Sequence, residues 1–168
     1  MTLKVGDTLP DGKLSESTQY DEAAGCPMPP KDLSVAESVK GKKIVIFAIP
    51  GAYTPTCSAK HVPSYLKNYD QLKAKKVDEI WCVATNDAFV MAAWGRDLKV
   101  NGRVRMLGDG SAEWTKKLGL ELDLNARNMG VRSQRYSMLV ENGVVKKLNV
   151  EAPGKYEVSG AETMLGQA

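Results

Sequence analysis

The chain has a single histidine, His61, and three cysteines, Cys26, Cys57 and Cys82, with no CxxC pair among them. An odd cysteine count cannot close into a full set of intrachain disulfides, and the wide spacing of the three lacks the paired ligands of a structural zinc site. No metal and no cofactor are therefore expected. Long apolar runs are also missing: the longest, Ile44 to Pro50, is far short of the ~20 residues a membrane helix needs. The net charge of +3 comes from 23 basic and 20 acidic residues scattered along the chain. Without a Lys/Arg block or an aromatic-interleaved basic stripe, a nucleic-acid partner is not expected. The opening MTLKVGDTLPDGKL lacks a charged segment followed by an apolar one, so no secretory signal is read. A reducing, cytoplasmic setting is the expectation, and there the reactivity of a cysteine matters more than its use as a staple.

At 168 residues, 43% hydrophobic and 26% charged, the chain has the size and composition of a soluble single domain with an ordinary core. No repeat, low-complexity tract or Gly/Ser-rich linker interrupts it, so residues 1–168 read as one domain. After a loop-rich start, Leu33 to Lys40 reads as a short helix behind Asp32 as its cap. Lys43 to Ile49 reads as a strand buried on both faces, as in a parallel sheet. From Cys57 to Lys76 the pattern is helical, with Tyr65, Tyr69 and Leu72 on one face and Pro63 expected to kink or divide it. Glu79 to Thr85 is a second strand, Asp87 to Val100 a helix capped by Asn86 or Asp87, and Val104 to Leu107 a third strand. Ser111 to Leu118 is a helix ended by Gly119, and Tyr136 to Glu141 pairs with Val144 to Val150 in a hairpin around Asn142-Gly143. Ser159 is expected to cap a last short helix. This alternation predicts a three-layer α/β domain with a mixed central sheet. In such open sheets sites form at the carboxyl ends of the strands, where the loop after Ile49 falls.

That loop, PGAYTPTC from Pro50 to Cys57, is rich in turn formers and hydroxyls. Cys57 lies outside the apolar run, at the mouth of the following helix. There the unpaired N–H groups and the positive end of the helix dipole favour a thiolate, so Cys57 is the candidate nucleophile. Thr54 and Thr56 offer hydroxyls that orient a substrate oxygen or cap the helix, while Pro50 and Pro55 stiffen the loop. His61, four residues on, shares a face with Cys57, where it either orients the site or packs as an ordinary hydrogen-bonded core histidine. A Cys-His protease is disfavoured by the lack of a nucleophile signature and of a strong orienting partner.

The spacing Pro50-x-x-x-Thr54-x-x-Cys57 resembles the peroxidatic motif of the peroxiredoxins. The runs PGAYTPTCSAKHVPSY, VDEIWCVATNDAFVMAAWG, GDGSAEWTKKLGLELDL and RSQRYSMLVENGVVKKLNVE are similar to type II, or type-five, peroxiredoxins over nearly the whole chain. Only the N-terminal stretch is weakly covered. The resemblance implies a thioredoxin-like fold, and reduction of hydrogen peroxide and small organic hydroperoxides by Cys57 through a sulfenic acid. It singles out Arg135 as the active-site arginine and implies a pocket formed by Pro50, Thr54, His61 and Arg135. The chemistry suits that set. A thiolate attacks one peroxide oxygen while negative charge develops on the other, and Thr54 and the permanently charged Arg135 can supply the donors this needs. The resemblance also implies a homodimer with the Cys57 loop near the interface. Tyr53, Phe89 and Met91, in exposed-looking loops, suit such an interface and equally suit a core.

The C-terminal KYEVSGAETMLGQA contains no cysteine, which excludes the resolving thiol that animal-type members carry there. Cys82 matches a cysteine proposed as resolver in plant-type members, and Cys26 sits roughly where some fungal-type members place an intersubunit one. Cys82, however, lies three residues before the expected strand end at Thr85, ~10 Å below the carboxyl edge at about 3.3 Å per residue. A disulfide needs Cα atoms within ~7 Å, so Cys82 also reads as a small core cysteine. Cys26 also reads as a plain loop residue. An external thiol is therefore expected to recycle the enzyme, glutathione with glutaredoxin first and thioredoxin second. Two rival classes remain at this level: a general disulfide exchanger, disfavoured by the missing CxxC, and a noncatalytic redox-sensing module.

Overall fold

The computed structural model describes residues 2–168, and the strands that are apolar on both faces set its centre. In chain order the elements are β1 (Lys13–Glu16), the small pair β2 (Tyr20–Asp21) and β3 (Cys26–Pro27), β4 (Lys31–Ser34), α1 (Val35–Val39) and β5 (Lys43–Ala48). A π-helical turn (Cys57–His61) runs into α2 (Val62–Lys67), followed by α3 (Tyr69–Ala74), β6 (Glu79–Ala84), α4 (Ala88–Asp97), β7 (Arg105–Gly108) and α5 (Glu113–Leu118). Then come β8 (Glu121–Asp123), a 3₁₀ turn (Asn125–Arg127), β9 (Val131–Ser133), β10 (Tyr136–Glu141), β11 (Val144–Val150) and α6 (Ala161–Gln167).

Seven strands join in the order β11-β10-β5-β6-β7-β1-β4. β5, β6 and β7 run parallel and the outer strands antiparallel, so the sheet is mixed. Because strand side chains alternate between faces, the two central strands feed two separate cores. Val45, Phe47, Ile80, Cys82 and Ala84 pack with Tyr65 of α2, Trp94 of α4 and Met164 of α6. Ile44, Ile46, Ala48, Trp81 and Val83 pack with Val35 and Val39 of α1 and with Trp114 and Leu118 of α5. The result is the three-layer α/β arrangement expected of a thioredoxin-like fold. Each large apolar side chain taken fully from water here contributes roughly 1.5–3 kcal/mol, which is why the all-apolar strands lie in the middle and the short polar ones at the edge.

Several expected boundaries move, each for a local reason. The first helix starts at Val35, not Leu33: Ser34 Oγ accepts the Glu37 N–H at 3.3 Å, whereas Asp32 is in a strand and accepts from Ser15 Oγ at 2.7 Å. The loop-rich start thus contains β1 and the edge strand β4, both too short and polar for a periodic signal. The long helix is divided next to Pro63, where the π turn gives way to α2 with the proline in its first turn, and it breaks again at Asn68, with φ −101° and ψ 14°. Asp87 caps α4 by accepting the Val90 N–H at 2.9 Å, leaving Asn86 free for a different task. The helix expected from Ser111 begins at Glu113, behind Asp109, whose carboxylate accepts from Thr115 N–H and hydroxyl at 2.8 and 2.7 Å. Ser159 does not cap α6, which starts behind Gly160; its hydroxyl donates to Glu151 instead. The hairpin forms as expected, with positive φ at Asn142 (47°) and Gly143 (80°) matching a primed turn.

The amino edge of the parallel strands is held by charge. Glu79 accepts from Lys42 Nζ at 2.6 Å, Trp81 Nε1 at 2.9 Å and Arg105 Nη1 at 2.8 Å, and Arg105 also grips Glu16 at 2.7 Å. Partial burial raises the Glu79 pKa, but these three donors outweigh it and bring the carboxyl down to about 2. A carboxyl with a depressed folded pKa adds stability above its unfolded value and loses it as pH falls through the folded one. Thermal unfolding followed by circular dichroism should therefore show a loss of stability between about pH 4.5 and about pH 2. Glu79→Gln should lower Tm at neutral pH and flatten that acid limb.

Candidate active site

β5 ends at the carboxyl edge, and the chain turns through Pro50 and Gly51 into the helix that carries Cys57. Thr54 Oγ1 donates to Gly51 O at 2.8 Å, and Ser58 N–H donates to Thr54 O at 3.0 Å, closing the first helical turn. Tyr53 takes the left-handed conformation (φ 63°), a conformation a non-glycine residue adopts only where its surroundings impose it. Three braces do so. Ala52 N–H donates to Asn86 Oδ1 at 2.8 Å, Tyr53 Oη donates to Asp97 at 2.6 Å, and Trp94 Nε1 donates to Ser58 Oγ at 3.0 Å. Arg132 completes the scaffold by donating to Pro50 O at 3.2 Å and Met129 O at 2.8 Å. A Cβ at Gly51 would come 2.6 Å from Arg132 Nη1, so a side chain there would displace the guanidinium that donates to Pro50 O. Asn86, Trp94 and Arg132 carry no motif of their own. The only available signal for Arg132 is its place three residues before Arg135 in RSQR.

Cys57 is fully buried, and Arg135 Nη2 donates to its Sγ at 3.1 Å. The other guanidinium nitrogen, Nη1, lies 2.9 Å from Nδ1 of His61, whose Nε2 lies 2.9 Å from Ser159 O. Arginine offers only donors and a carbonyl only accepts, so the imidazole proton belongs on Nε2 and Nδ1 accepts from Arg135. Burial, and then the Arg135 charge, bring the His61 pKa down to about 3, against the smaller opposing pull of Ser159 O and Glu151. The ring is sandwiched near Phe47 and Tyr156, with centroids 4.8 and 5.0 Å away. The π-helical turn places Cys57 and His61 together on Arg135, and the Val62 N–H closes it on Cys57 O. Single π turns of this kind recur at functional sites. Among the described residues Arg135 forms no ion pair with a carboxylate, so its guanidinium is left to the Cys57 sulfur and the His61 ring.

A cavity of about 240 Å³ opens beside this group, lined among others by Pro50, Thr56, Gln134, Arg135, Glu151 and Lys155. Of the residues singled out from sequence, Pro50, Thr56 and Arg135 line it. His61 is fully buried against Arg135, and the Thr54 hydroxyl is engaged with Gly51 O. Cys82 lies in β6 between Phe47 and Met106 in register, fully buried. Its thiol is pushed well up, by burial first and by the field of Cys57 second. Cys26 is exposed at the start of β3, and all three cysteines are free. Of the residues considered for a subunit interface, Tyr53 and Phe89 are exposed, whereas Met91 is wholly within the core.

Residues 4–165 match the Redoxin family. The chain is 47% identical over 166 residues to Peroxiredoxin-2E, chloroplastic, of Arabidopsis thaliana, covering 98% of this chain and 68% of that protein. It is 45% identical over 163 residues to Peroxiredoxin-2C of Oryza sativa subsp. japonica, covering 97% and 96%. Among solved structures, reduced Prx3 of Vibrio vulnificus in complex with H2O2 superposes with a TM-score of 0.89 at 50% identity, covering 98% of each chain.

The hydrogen-bond pattern makes His61 a neutral group at working pH. As the only histidine it gives a single imidazole signal, which should stay flat from about pH 8 to about pH 5 in a proton NMR titration. A midpoint near that of free histidine would contradict the geometry.

Proposed function

The chain belongs to the redoxin family and, within it, to the peroxiredoxins, which are thiol peroxidases, and we propose that Cys57 is its peroxidatic nucleophile. One observation carries this reading: a buried thiol whose sulfur accepts, at 3.1 Å, from an arginine with no carboxylate partner among the described residues. The Cys57 thiolate attacks one oxygen of ROOH. The S–O bond forms as the O–O bond breaks, and the departing RO⁻ takes a proton to leave as ROH, with Cys57 as the sulfenic acid. Arg135 stabilises the thiolate beforehand and the charge that moves to the leaving oxygen afterwards. Thr54 turns its hydroxyl from Gly51 O to a bound peroxide oxygen, and Pro50 shields the reacting atoms from water. Hydrogen peroxide and small organic hydroperoxides are the substrates that a fully buried sulfur admits.

An external thiol then condenses with the sulfenic acid, releasing water and leaving a mixed disulfide that a second thiol cleaves. The burial of Cys82 within β6 and the placement of Cys26 in a small edge hairpin favour this route over an internal disulfide. Glutathione with glutaredoxin is the favoured donor and thioredoxin the second, in a reducing compartment such as the cytoplasm. A homodimer with the Cys57 loop near its interface completes the reading, and the exposed Tyr53 and Phe89 suit it.

Stopped-flow peroxide reduction tests the nucleophile and its partner. Cys57→Ser should abolish turnover, and Arg135→Ala should lower the peroxide rate constant at least about tenfold with the circular dichroism spectrum retained. Full turnover in Cys57→Ser would sink the assignment.

The reductant is tested by a Cys26→Ser/Cys82→Ala protein, expected to keep most of its peroxidase activity with glutathione and glutaredoxin. If an internal disulfide is obligatory, this variant instead stalls after one turnover and Cys57 accumulates as sulfinic acid. Assembly is read by sedimentation: a dimer is expected at micromolar concentration, and a monomer in both redox states would rule it out.

A further inference from the structure

Glu151, immediately after β11, is only 7% exposed, yet no lysine, arginine or histidine pairs with it among the described residues. Its charge is met by backbone. The N–H groups of Glu157, Val158 and Ser159 donate to Oε2 at 2.8, 2.9 and 2.9 Å, and the Ser159 hydroxyl adds a fourth bond at 2.7 Å. Successive N–H groups converging on one anion form a nest, a motif that holds a charge without a counterion. Burial raises the Glu151 pKa, but the Ser159 hydroxyl and the three N–H groups prevail and hold it below the usual carboxylate range.

The two ends of this clamp reach the same place. Glu151 N–H donates to Arg135 O at 2.9 Å, so its backbone fixes the arginine from one side. Its carboxylate fixes residues 157–159, and from that segment the Ser159 carbonyl accepts both His61 Nε2 and Tyr65 Oη at 2.9 Å. A neutral imidazole has two tautomers, and the choice matters here. With the proton on Nε2, Nδ1 presents a lone pair to Arg135. With the proton on Nδ1, two donors would face each other and the guanidinium would be pushed off the sulfur.

We propose that Glu151 is a positioning residue for peroxide reduction: it fixes the Ser159 carbonyl, which holds the His61 proton on Nε2 and so leaves Nδ1 to aim Arg135 at Cys57. The proposal rests on the roles given above to Cys57 and Arg135, but its test reads the tautomer independently of turnover.

Protein labelled with nitrogen-15 only in histidine yields one pair of ring-nitrogen resonances, since His61 is the sole histidine. Wild type should show a protonated Nε2 and an unprotonated Nδ1. In Glu151→Ala both tautomers should appear, and the peroxide rate constant should fall at least about tenfold. Glu151→Gln keeps an acceptor oxygen at the nest, and should keep the wild-type tautomer and run within about threefold of the wild-type rate. A wild-type ring protonated on Nδ1 overturns the proposal without any variant, so it remains testable even if Glu151→Ala does not fold. A folded Glu151→Ala protein with the wild-type rate, or a slow one with the wild-type tautomer, overturns it too. Turnover surviving in Cys57→Ser would instead mark failure of the earlier assignment.

Discussion

The contact between Arg135 and Cys57 is the interaction around which the carboxyl edge of this molecule is arranged. A thiolate removed from water and left alone is costly, and burial by itself pushes a thiol toward its neutral form, as it does for Cys82. Cys57 is equally buried but has a guanidinium 3.1 Å from its sulfur. The two cysteines share one core cluster, and what sets the surroundings of Cys57 apart is a single long side chain and what holds it.

Sheet topology brings those two residues together although 78 positions separate them. β5 and β10 are antiparallel neighbours, with Ala48 opposite Tyr136. The end of one strand therefore lies beside the beginning of the other. The loop leaving β5 carries Cys57 and the residue entering β10 is Arg135, so the register of one strand pair sets the reach of the arginine. A slip of one residue in that register would turn Tyr136 from one core to the other and carry Arg135 away from the sulfur. The apolar faces of β5 and β10 thus specify the site as much as its polar residues do.

The parts legible in the sequence were those with strong periodicity or a dense local motif. The all-apolar strand from Lys43, the strand from Glu79 and the Asn142-Gly143 hairpin announced themselves, as did Cys57, Thr54 and Pro50 in one loop. Arg135 came only through family likeness, since nothing local marks an arginine as belonging to a cysteine far upstream. The clamp was not legible at all. Ser159 looks like a helix cap and Glu151 like a surface acid, because their roles depend on a backbone segment folding back on a side chain. Likewise Asp32 is the expected cap, but its carboxylate accepts from Ser15 Oγ across the β1–β4 pair, and Ser34, at the end of β4, caps the helix instead. Local chemistry proposes several partners for such residues, and tertiary contact selects one.

The two ends of the parallel strands solve opposite problems. At the amino edge Lys42, Glu79, Arg105 and Glu16 satisfy one another in a continuous network that tightens the sheet. At the carboxyl edge the chain tolerates what a purely structural end would avoid: a tyrosine in the left-handed region, a π turn, a buried histidine held against a cation. Close to that edge Thr85 Oγ1 and Tyr136 Oη are buried without a protein partner among the described residues. Such features persist only where the surrounding structure over-determines them. The satisfied edge and the two tryptophan-anchored cores supply that surplus, and the strain sits where the sulfur, the arginine and the histidine must meet in one arrangement. Relaxing the carboxyl edge would therefore be expected to stabilise the fold while loosening the geometry that holds Arg135 on Cys57.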